Sequence, residues 1–516
     1  MRREYVSGVA LFSSRSTNLT LGLLLTATVL GSACSAGSAD SASNPTGGAS
    51  GSAGAAGVAG TAGHNSGGVD QGASGESGAA GEQSGGSGGS SPLDLTGVFV
   101  KEARAAEEGS VFVLLDRPLA LAVDNGSPQR KLVHVRGEHA ARTLAKSSNS
   151  RFLLDFARHP SGHVSVLFAA ADGYTLERLD ADGGVLAVHT IADPQIAEDP
   201  PVGAGHPGGP IERLSYDTGG LAAAGDDVVV ATRTGRHSVI AYRLALDEQG
   251  FEPVWRTLVV PPHGLYGIGL TGGSYDTFGQ LGCHTSVHVA HDDHDRTYVA
   301  VQHPHSGDDA MLEAHRKVFG DTLEGDPDGL DLYVTRLDGA GVRLGTTVVG
   351  TDEQDELYGL RAASDAAIVT GRTEHWNDQG TGFDALFARV DGESGRAEVH
   401  ELDVSESDLA FDAVALPDGS WLVAGVSGYS QNPHGASVSE ASRAFVSLVH
   451  AAGDAVPLVT PNGPRHNEAR ALVQLGDRDW RVAGMVDGPG THTADHELAL
   501  LTAAGFIAPL TLPSLD

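Results

Sequence analysis

Cysteine and basic residues are both scarce in this chain, and each shortage narrows what the protein can do. The 516 residues contain two cysteines, Cys34 and Cys283, so at most one intrachain disulfide can form. Lysine and arginine together number 33 against 66 acidic residues, which gives a formal net charge of −33. Nucleic-acid binding requires a basic surface, and this charge balance argues against a nucleic-acid partner. A strongly acidic surface instead favours solubility or the attraction of cations.

The N-terminal apolar stretch is too short to cross a membrane. It covers Leu21–Leu30, about half of the roughly 20 residues that a membrane-spanning helix needs. Three arginines precede it, and the small residues GSA lie between it and Cys34. This order of basic, apolar and small residues predicts that residues 1–33 are an export signal peptide.

The same stretch resembles the signal of bacterial lipoproteins, whose mature N-terminal cysteine carries a lipid. The resemblance implies a lipid on Cys34, a membrane as partner through that lipid, and a location in the cell envelope. Ser35 after the cysteine resembles lipoproteins of the outer membrane or cell surface rather than of the inner membrane. An ordinary signal peptide with an incidental thiol is the alternative. With Cys34 lipidated, we expect Cys283 to be a buried, inert thiol.

Residues 34–92 form a second compositional segment. Between Ser35 and Ser91 the chain is almost entirely Gly, Ala and Ser, and it contains no aromatic residue. Such a segment cannot bury enough apolar surface to offset the entropy of ordering, so we expect a disordered linker. The folded domain is therefore predicted to occupy residues 93–516.

The folded part repeats one pattern, which is clearest over Ala410–Gly453. Two short apolar strands flank the Pro417-Asp418-Gly419 turn, and a third strand ends in a Gly turn at Gly453. Third strands ending in such a turn are predicted at Tyr174–Gly183, Ser238–Gly250, Leu330–Gly341, Phe383–Gly395, Ala444–Gly453 and Glu497–Gly505. A more divergent copy is predicted at Val98–Ala145, and Asp308–Val318 is the best candidate for a short helix.

A single such sheet has two apolar faces and is not stable alone, whereas radial stacking buries both faces. The pattern therefore predicts an all-β fold, a β-propeller with about seven blades of about four antiparallel strands; six or eight blades also suit the spacing. Val414–Gly425 and Phe383–Gly392 resemble a bacterial propeller repeat family of about sixty residues, written A-V-x-P-D-G-x-x-V-A-G. The resemblance implies fold rather than activity.

Histidines provide the main candidate site. If Val287–Ala290 pairs with Thr297–Val301 so that Ala290 lies opposite Thr297, His284 lies opposite His303, close enough for both to bind one divalent metal ion. The candidate metal ligands are His284, His303, His305, His291, His294 and Asp295. The loop after the second strand also carries a histidine in successive units, which a propeller would gather on one face: His237, His305, His375, His434 and His492. Ordinary solvated loop histidines are the alternative.

Other chemistry is weakly supported by the sequence. Acidic loops such as Asp352–Glu356 offer oxygen ligands for calcium, but none matches the spacing of a known calcium loop, and solvated charge is the simpler interpretation. No folded segment matches a catalytic motif, so no catalytic residue is assigned. We expect a monomeric scaffold that binds a protein, glycan or ion on one propeller face. The alternatives are an extracytoplasmic hydrolase, lyase or quinoprotein-like dehydrogenase, or a metal-binding propeller with a His-rich face.

Overall fold

The folded domain is visible over most of its length. The computed structural model describes residues 94–107, 109–116, 130–136, 140–148, 150–170, 173–198, 218–234, 238–247, 250–260, 286–304, 323–324, 330–377, 380–405, 407–428, 442–476, 479–488 and 504–513. The predicted signal peptide, Cys34, the linker, Cys283 and the predicted helix at Asp308–Val318 lie outside these residues. None of the described helices has the length and apolar character that crossing a membrane requires.

The described strands form seven antiparallel blades, which confirms the predicted β-propeller. Blade 1 contains β1 (Phe99–Ala105), β2 (Val111–Asp116), β3 (Lys131–Arg136) and β4 (Ala140–Lys146), and blade 2 contains β5 (Arg151–Arg158), β6 (Val164–Ala170), β7 (Gly173–Leu179) and β8 (Val185–Ile191). Helix α1 (Pro194–Glu198) follows. Blade 3 contains β9 (Gly219–Ala224), β10 (Asp227–Arg233), β11 (Val239–Asp247) and β12 (Gly250–Val260). Blade 4 contains β13 (Val287–His291), β14 (Thr297–Pro304), β16 (Leu330–Leu337) and β17 (Arg343–Val349), with the short β15 (Leu323–Glu324) parallel to β17.

The last three blades complete the ring. Blade 5 contains β18 (Gln354–Ala362), β19 (Ala366–Asn377), β20 (Gly380–Asp391) and β21 (Ala397–Leu402). Blade 6 contains β22 (Asp408–Ala415), β23 (Trp421–Ser427), β24 (Arg443–Val449) and β25 (Ala455–Leu458), and blade 7 contains β26 (His466–Gln474), β27 (Trp480–Gly488) and β28 (Ala504–Leu510). The start of the domain pairs with the last strand of blade 7. Thr96 forms a β-bridge with Ala504, and the Gly505 amide donates to the Leu95 carbonyl at 2.9 Å. The chain then enters β1, so the first and last blades are held together.

The apolar core lies between blades rather than within them. Each of seven buried clusters combines side chains from two neighbouring blades. Between blades 1 and 2, for example, Leu114 packs in one cluster with Phe156 and Phe168, and all three are fully buried. Burial of one such side chain stabilises the fold by roughly 1.5–3 kcal/mol. This is the physical reason for radial stacking, because no blade covers both of its faces alone.

The A-G motif in the second strand of the repeat requires glycine for steric reasons. A Cβ on Gly425 of β23 would lie 1.9 Å from the Leu409 carbonyl oxygen of β22, and a Cβ on Gly484 of β27 would lie 1.9 Å from the Glu468 carbonyl oxygen of β26. Both carbonyls immediately precede a β-bulge in the first strand of the blade. A bulge brings the two backbones close together, and only glycine leaves room for this approach.

The turns define the two faces of the disc. Tight turns after the third strand contain glycines with positive φ, including Gly183, Gly341, Gly395 and Gly453, as the repeat predicts. The prediction was wrong at Gly505, which lies inside β28 instead of ending a strand. First strands of neighbouring blades contact one another around the central channel. We call the face at which the first strands begin the entry face.

Candidate functional site

Charged side chains of the first strands line the central channel. The Arg104 guanidinium on β1 lies 2.5 Å from Glu102 Oε1 and 3.3 Å from Asp155 Oδ1 on β5. On the other side of the ring, Arg361 Nη2 on β18 lies 3.1 Å from Asp412 Oδ2 on β22. In both pairs the arginine of one blade meets the aspartate of the next. The channel therefore contains both signs of charge in paired form.

Each channel aspartate also joins a third blade. Asp155 Oδ2 accepts the Leu221 amide at 2.7 Å, and Asp412 Oδ2 accepts the Leu472 amide at 2.8 Å. Both aspartates directly follow a bulge, which turns their carboxylates toward the neighbouring blade. Burial raises the pKa of both carboxyl groups; Glu102 adds to the rise, whereas Arg104 and Arg361 oppose it. These arginine–aspartate pairs tie the ring together, and this structural role accounts for their hydrogen bonds.

Aromatic and cationic side chains lie above these ties, toward the entry face. Tyr358, Phe411 and Arg470 are the extra residues at the bulges of three consecutive first strands, β18, β22 and β26. The Arg470 guanidinium carbon lies 4.4 Å from the centroid of the Phe411 ring and 4.7 Å from that of Phe99 on β1. The rings of Tyr358 and Phe411 meet edge to face at 5.5 Å. All four side chains are partly exposed, so this surface, the channel entrance, combines aromatic faces with a cation.

A buried hydrogen-bond relay adjoins the channel entrance. Ser442 Oγ, just before β24, contacts His466 Nδ1, and His466 Nε2 lies 2.7 Å from Glu468 Oε1. The other oxygen of Glu468 contacts Arg470. Burial by itself raises the pKa of Glu468, but Arg470 and His466 outweigh it and hold this pKa well below its usual range. Glu468 is therefore ionised and can only accept hydrogen bonds.

A second group of acids lies where the first strands begin. One oxygen from each of Asp384, Asp403 and Asp408 falls within 4.8 Å of the others, the single cluster of this kind among the described residues. Asp408 is fully buried, and it accepts the amides of Val404 and Ser405 at 2.6 and 2.7 Å. Burial raises its pKa to about 6, although these hydrogen bonds lower it. Capping of the preceding loop accounts for Asp408 without a metal ion.

The bulge register shows that this capping position repeats. Asp355, Asp408 and Asn467 each lie three residues before the extra residue of a bulge. Asp355 Oδ2 accepts the Thr351 amide at 2.7 Å, and Asn467 Oδ1 accepts the Gly463 amide at 2.8 Å. The side-chain amide of Asn467 thus accepts a loop hydrogen bond in one blade, as the carboxylates of Asp355 and Asp408 do in two others. The repeat favours a structural role for this position.

The predicted histidine site has a different register from the one expected. Ala290 faces Tyr298, and His291 faces Thr297, so the predicted pairing of Ala290 with Thr297 was wrong by one residue. The side-chain period of a strand is two, so a slip of one residue removes the basis for placing His284 opposite His303. The backbone of His303 instead pairs with Asp331 on the other side of β14.

The turn after β13 is fully described. His291 Nδ1 lies 3.1 Å from Thr297 Oγ1, and its Nε2 lies 3.4 Å from Asp295 Oδ1. Asp295 also accepts a hydrogen bond from Arg243 at 2.6 Å, and His294 is exposed. The structure therefore brings His291 and Asp295 together without His294. A salt-bridged turn explains this contact.

The side chains of the remaining predicted histidines lie outside the part of the chain that the structure describes. Five of them lie outside the described residues: His237, His284, His305, His434 and His492. For His303 and His375 only the backbone, in β14 and β19, is described. A His-rich face and a metal site at these positions stay predictions.

Solved structures share the fold at low sequence identity. A catalytically inactive virginiamycin B lyase from Staphylococcus aureus, with quinupristin, is 10% identical with a TM-score of 0.44, over 82% of this chain and 98% of that chain. A puromycin hydrolase is 15% identical with a TM-score of 0.41, over 82% and 55% of the two chains. The periplasmic gluconolactonase of Pseudomonas aeruginosa is 13% identical with a TM-score of 0.36, over 71% and 86%. At these values the likeness concerns the propeller fold alone. No family model and no curated protein matches the chain.

The sequence interpretation missed both the channel entrance and the relay. A weak signal for the entrance was present: a bulky residue beside a small one recurs in first strands, as in Tyr358-Gly359 and Phe411-Asp412. That Ser442 and His466 belong together was not visible, because they lie 24 residues apart on different blades.

Proposed function

We propose that this chain is an exported, lipid-anchored β-propeller that binds a glycan at the channel entrance. The observation that carries the proposal is the placement of Arg470 against the rings of both Phe99 and Phe411, on a partly exposed surface built by four blades. Sugar rings present an apolar C–H face together with hydroxyl groups. An aromatic side chain beside hydrogen-bond donors and acceptors complements both.

Neighbouring side chains support this assignment. The Tyr358 hydroxyl donates to Glu356 Oε2 at 2.6 Å, and the Arg372 guanidinium lies 2.5 Å from Glu356 Oε1 and 3.9 Å from the centroid of the Phe383 ring. The polar groups are thus held in place before a ligand arrives. Preorganised groups reduce the ordering cost of binding.

An oligosaccharide array probed with the purified full-length protein tests glycan binding. We expect at least one class of neutral or uronate-containing oligosaccharide to be retained. Phe411→Ala should weaken its binding about fivefold or more, since loss of an aromatic contact costs on the order of 1 kcal/mol or more. Val254→Ala, on the exposed outer strand β12, is the matched control and should bind as the parent does. Equal binding by the Phe411→Ala protein, or no binding by the parent, would refute the assignment.

The anchor is tested separately. Cells that express the parent protein should incorporate labelled palmitate into it, and the protein should sediment with membranes. Cys34→Ser should abolish both results, because it removes the only thiol at the predicted cleavage point. A membrane-bound, unlabelled parent protein would contradict lipidation.

A further inference from the structure

We infer that Ser442, His466 and Glu468 form a nucleophilic site at which Ser442 attacks the acyl carbon of a carboxylic ester. The three side chains are connected in one line: Ser442 Oγ to His466 Nδ1, and His466 Nε2 to Glu468 Oε1 at 2.7 Å. A serine, an imidazole and a carboxylate in this order make up the arrangement that activates serine for acyl transfer, and it is recognised by geometry rather than by sequence order.

The proton positions follow from Glu468. Because this carboxylate is ionised, it accepts a hydrogen bond from His466 Nε2–H, and this tautomer of the neutral imidazole has its electron pair at Nδ1. The Ser442 hydroxyl consequently donates to Nδ1. The hydroxyl proton already points at the base that must remove it, and the carboxylate stabilises the imidazolium that forms.

A second serine–histidine contact in the described part of the chain lacks the carboxylate that the relay has, and it serves for comparison. His159 Nε2 lies 2.9 Å from Ser165 Oγ, but His159 Nδ1 faces the carbonyl oxygen of Gly225 at 3.0 Å. Burial and the nearby Arg178 lower the pKa of His159 to about 4. His159 is a poor base with no carboxylate behind it, and both side chains are fully buried. Ser165 is thus a matched control for Ser442.

The relay lies next to the proposed binding surface. Glu468 contacts His466 through one oxygen and Arg470 of the channel entrance through the other. Ser442 and His466 are both on the entry face, and they retain small exposed areas of 5% and 9%. The inference requires an ester group on a ligand held at the entrance to reach the Ser442 hydroxyl from this face. The inference does not require the ligand to be a glycan.

The reaction balances without a cofactor. Ser442 Oγ forms a bond to the acyl carbon while its proton moves to His466 Nδ1; the bond to the alcohol oxygen then breaks, and that oxygen takes the proton. Water repeats the sequence on the acyl-serine, which releases the acid and restores Ser442. The backbone N–H of Asn467 donates to Ser442 Oγ at 3.2 Å and helps to hold the hydroxyl in place.

An alkyl fluorophosphonate probe tests the inference, because it forms a covalent bond with activated serine. We expect peptide mass spectrometry of the treated full-length protein to place the adduct on Ser442. His466→Gln and Glu468→Gln should slow labelling, by about a hundredfold or more for the histidine. Ser442→Ala should remove the adduct, whereas Ser165→Ala should leave it unchanged. p-Nitrophenyl acetate hydrolysis should follow the same order.

The decisive measurement uses the parent protein, so it does not depend on the folding of any variant. No adduct on Ser442 in the parent, or an adduct whose rate is unaffected by His466→Gln in a protein with the parent's circular dichroism spectrum, overturns the inference. Val254→Ala, on the exposed outer strand β12, should keep the parent's labelling rate. Failure of glycan binding is a separate result, because a parent protein that binds no glycan but is labelled on Ser442 would refute only the proposed function.

Discussion

Replacement of Asp355 by asparagine provides a quantitative test of the structural interpretation of the entry face. Asp355 is fully buried at the start of β18, where it accepts the Thr351 amide at 2.7 Å. Burial raises the pKa of its carboxyl group to about 7, because hydrogen bonds from Thr351 and Thr373 offset the desolvation only in part. Asn467 occupies the equivalent position in blade 7, so an amide fits this type of loop.

The sign of the effect follows from the two protonation states. In the unfolded chain the carboxyl group ionises near pH 4, whereas in the folded chain it holds its proton to about pH 7. The folded state therefore binds more protons between these values, and the contribution of Asp355 to stability is full below pH 4 and lost as the pH rises to 7. A rise of the pKa of Asp355 from about 4 to about 7 corresponds to about 4 kcal/mol of stability, as an upper bound.

Urea unfolding, followed by the fluorescence of the four tryptophans, measures the effect at pH 4.5 and 8. Asparagine does not ionise, so the stability of Asp355→Asn relative to the parent should rise by about 2–4 kcal/mol between these two values. Asp403→Asn, at an exposed acid on the same face, should change stability by less than about 0.5 kcal/mol at either pH. The same stability difference between Asp355→Asn and parent at both pH values would show that burial does not control this carboxyl group.

Three further substitutions test contacts that stabilise the propeller within and between blades, each by urea unfolding at pH 7.5. Gly425→Ala should destabilise the fold by about 2–3 kcal/mol, because its Cβ would overlap a carbonyl oxygen of the partner strand; an unchanged midpoint would contradict the steric account of the motif. Arg361→Met should lower the free energy of unfolding by about 1–3 kcal/mol, since it leaves the Asp412 carboxylate without its cation. If Asp412→Asn lowers it by a similar amount and the double variant loses no more than either single variant, the two side chains stabilise the fold through their contact with each other. Tyr298→Phe should cost about 1.5–3 kcal/mol, because the buried Asp292 carboxylate loses a hydrogen bond of 2.7 Å; a loss below about 0.5 kcal/mol would mean that this bond contributes little.

Local patterns in the sequence predicted the fold well. Strands such as β6 and β23 are continuous apolar runs beside a turn, and their bounds follow from residue order alone. The glycine turns after third strands also carry their signal within a few residues. Gly505 misled the prediction because a glycine inside a strand and a glycine that ends one are the same letter in the sequence.

The candidate sites depend on features that sequence patterns do not show. A bulge shifts the register by one residue, and a hairpin turn one residue longer or shorter has the same effect, which is why the pairing of Ala290 was wrong. Bulges also bring Tyr358, Phe411 and Arg470 to one surface from three blades. Their proximity depends on the closure of the ring, so it follows only from the assembled structure.

The channel and its entrance differ in how much of their side-chain surface is taken up by contacts between blades. Asp155 and Asp412 each accept both an arginine and a backbone amide from neighbouring blades, so their hydrogen-bonding capacity serves the ring. At the entrance, the ring of Phe411 contacts Tyr358 and Arg470 of the neighbouring blades, but it is partly exposed, so part of its surface is available to a ligand. Substitutions in the channel should therefore lower stability at unchanged binding per folded molecule, whereas substitutions at the entrance should lower binding or labelling at nearly unchanged stability. A binding defect in Arg361→Met that persists after correction for the folded fraction would show that the channel ties also take part in recognition.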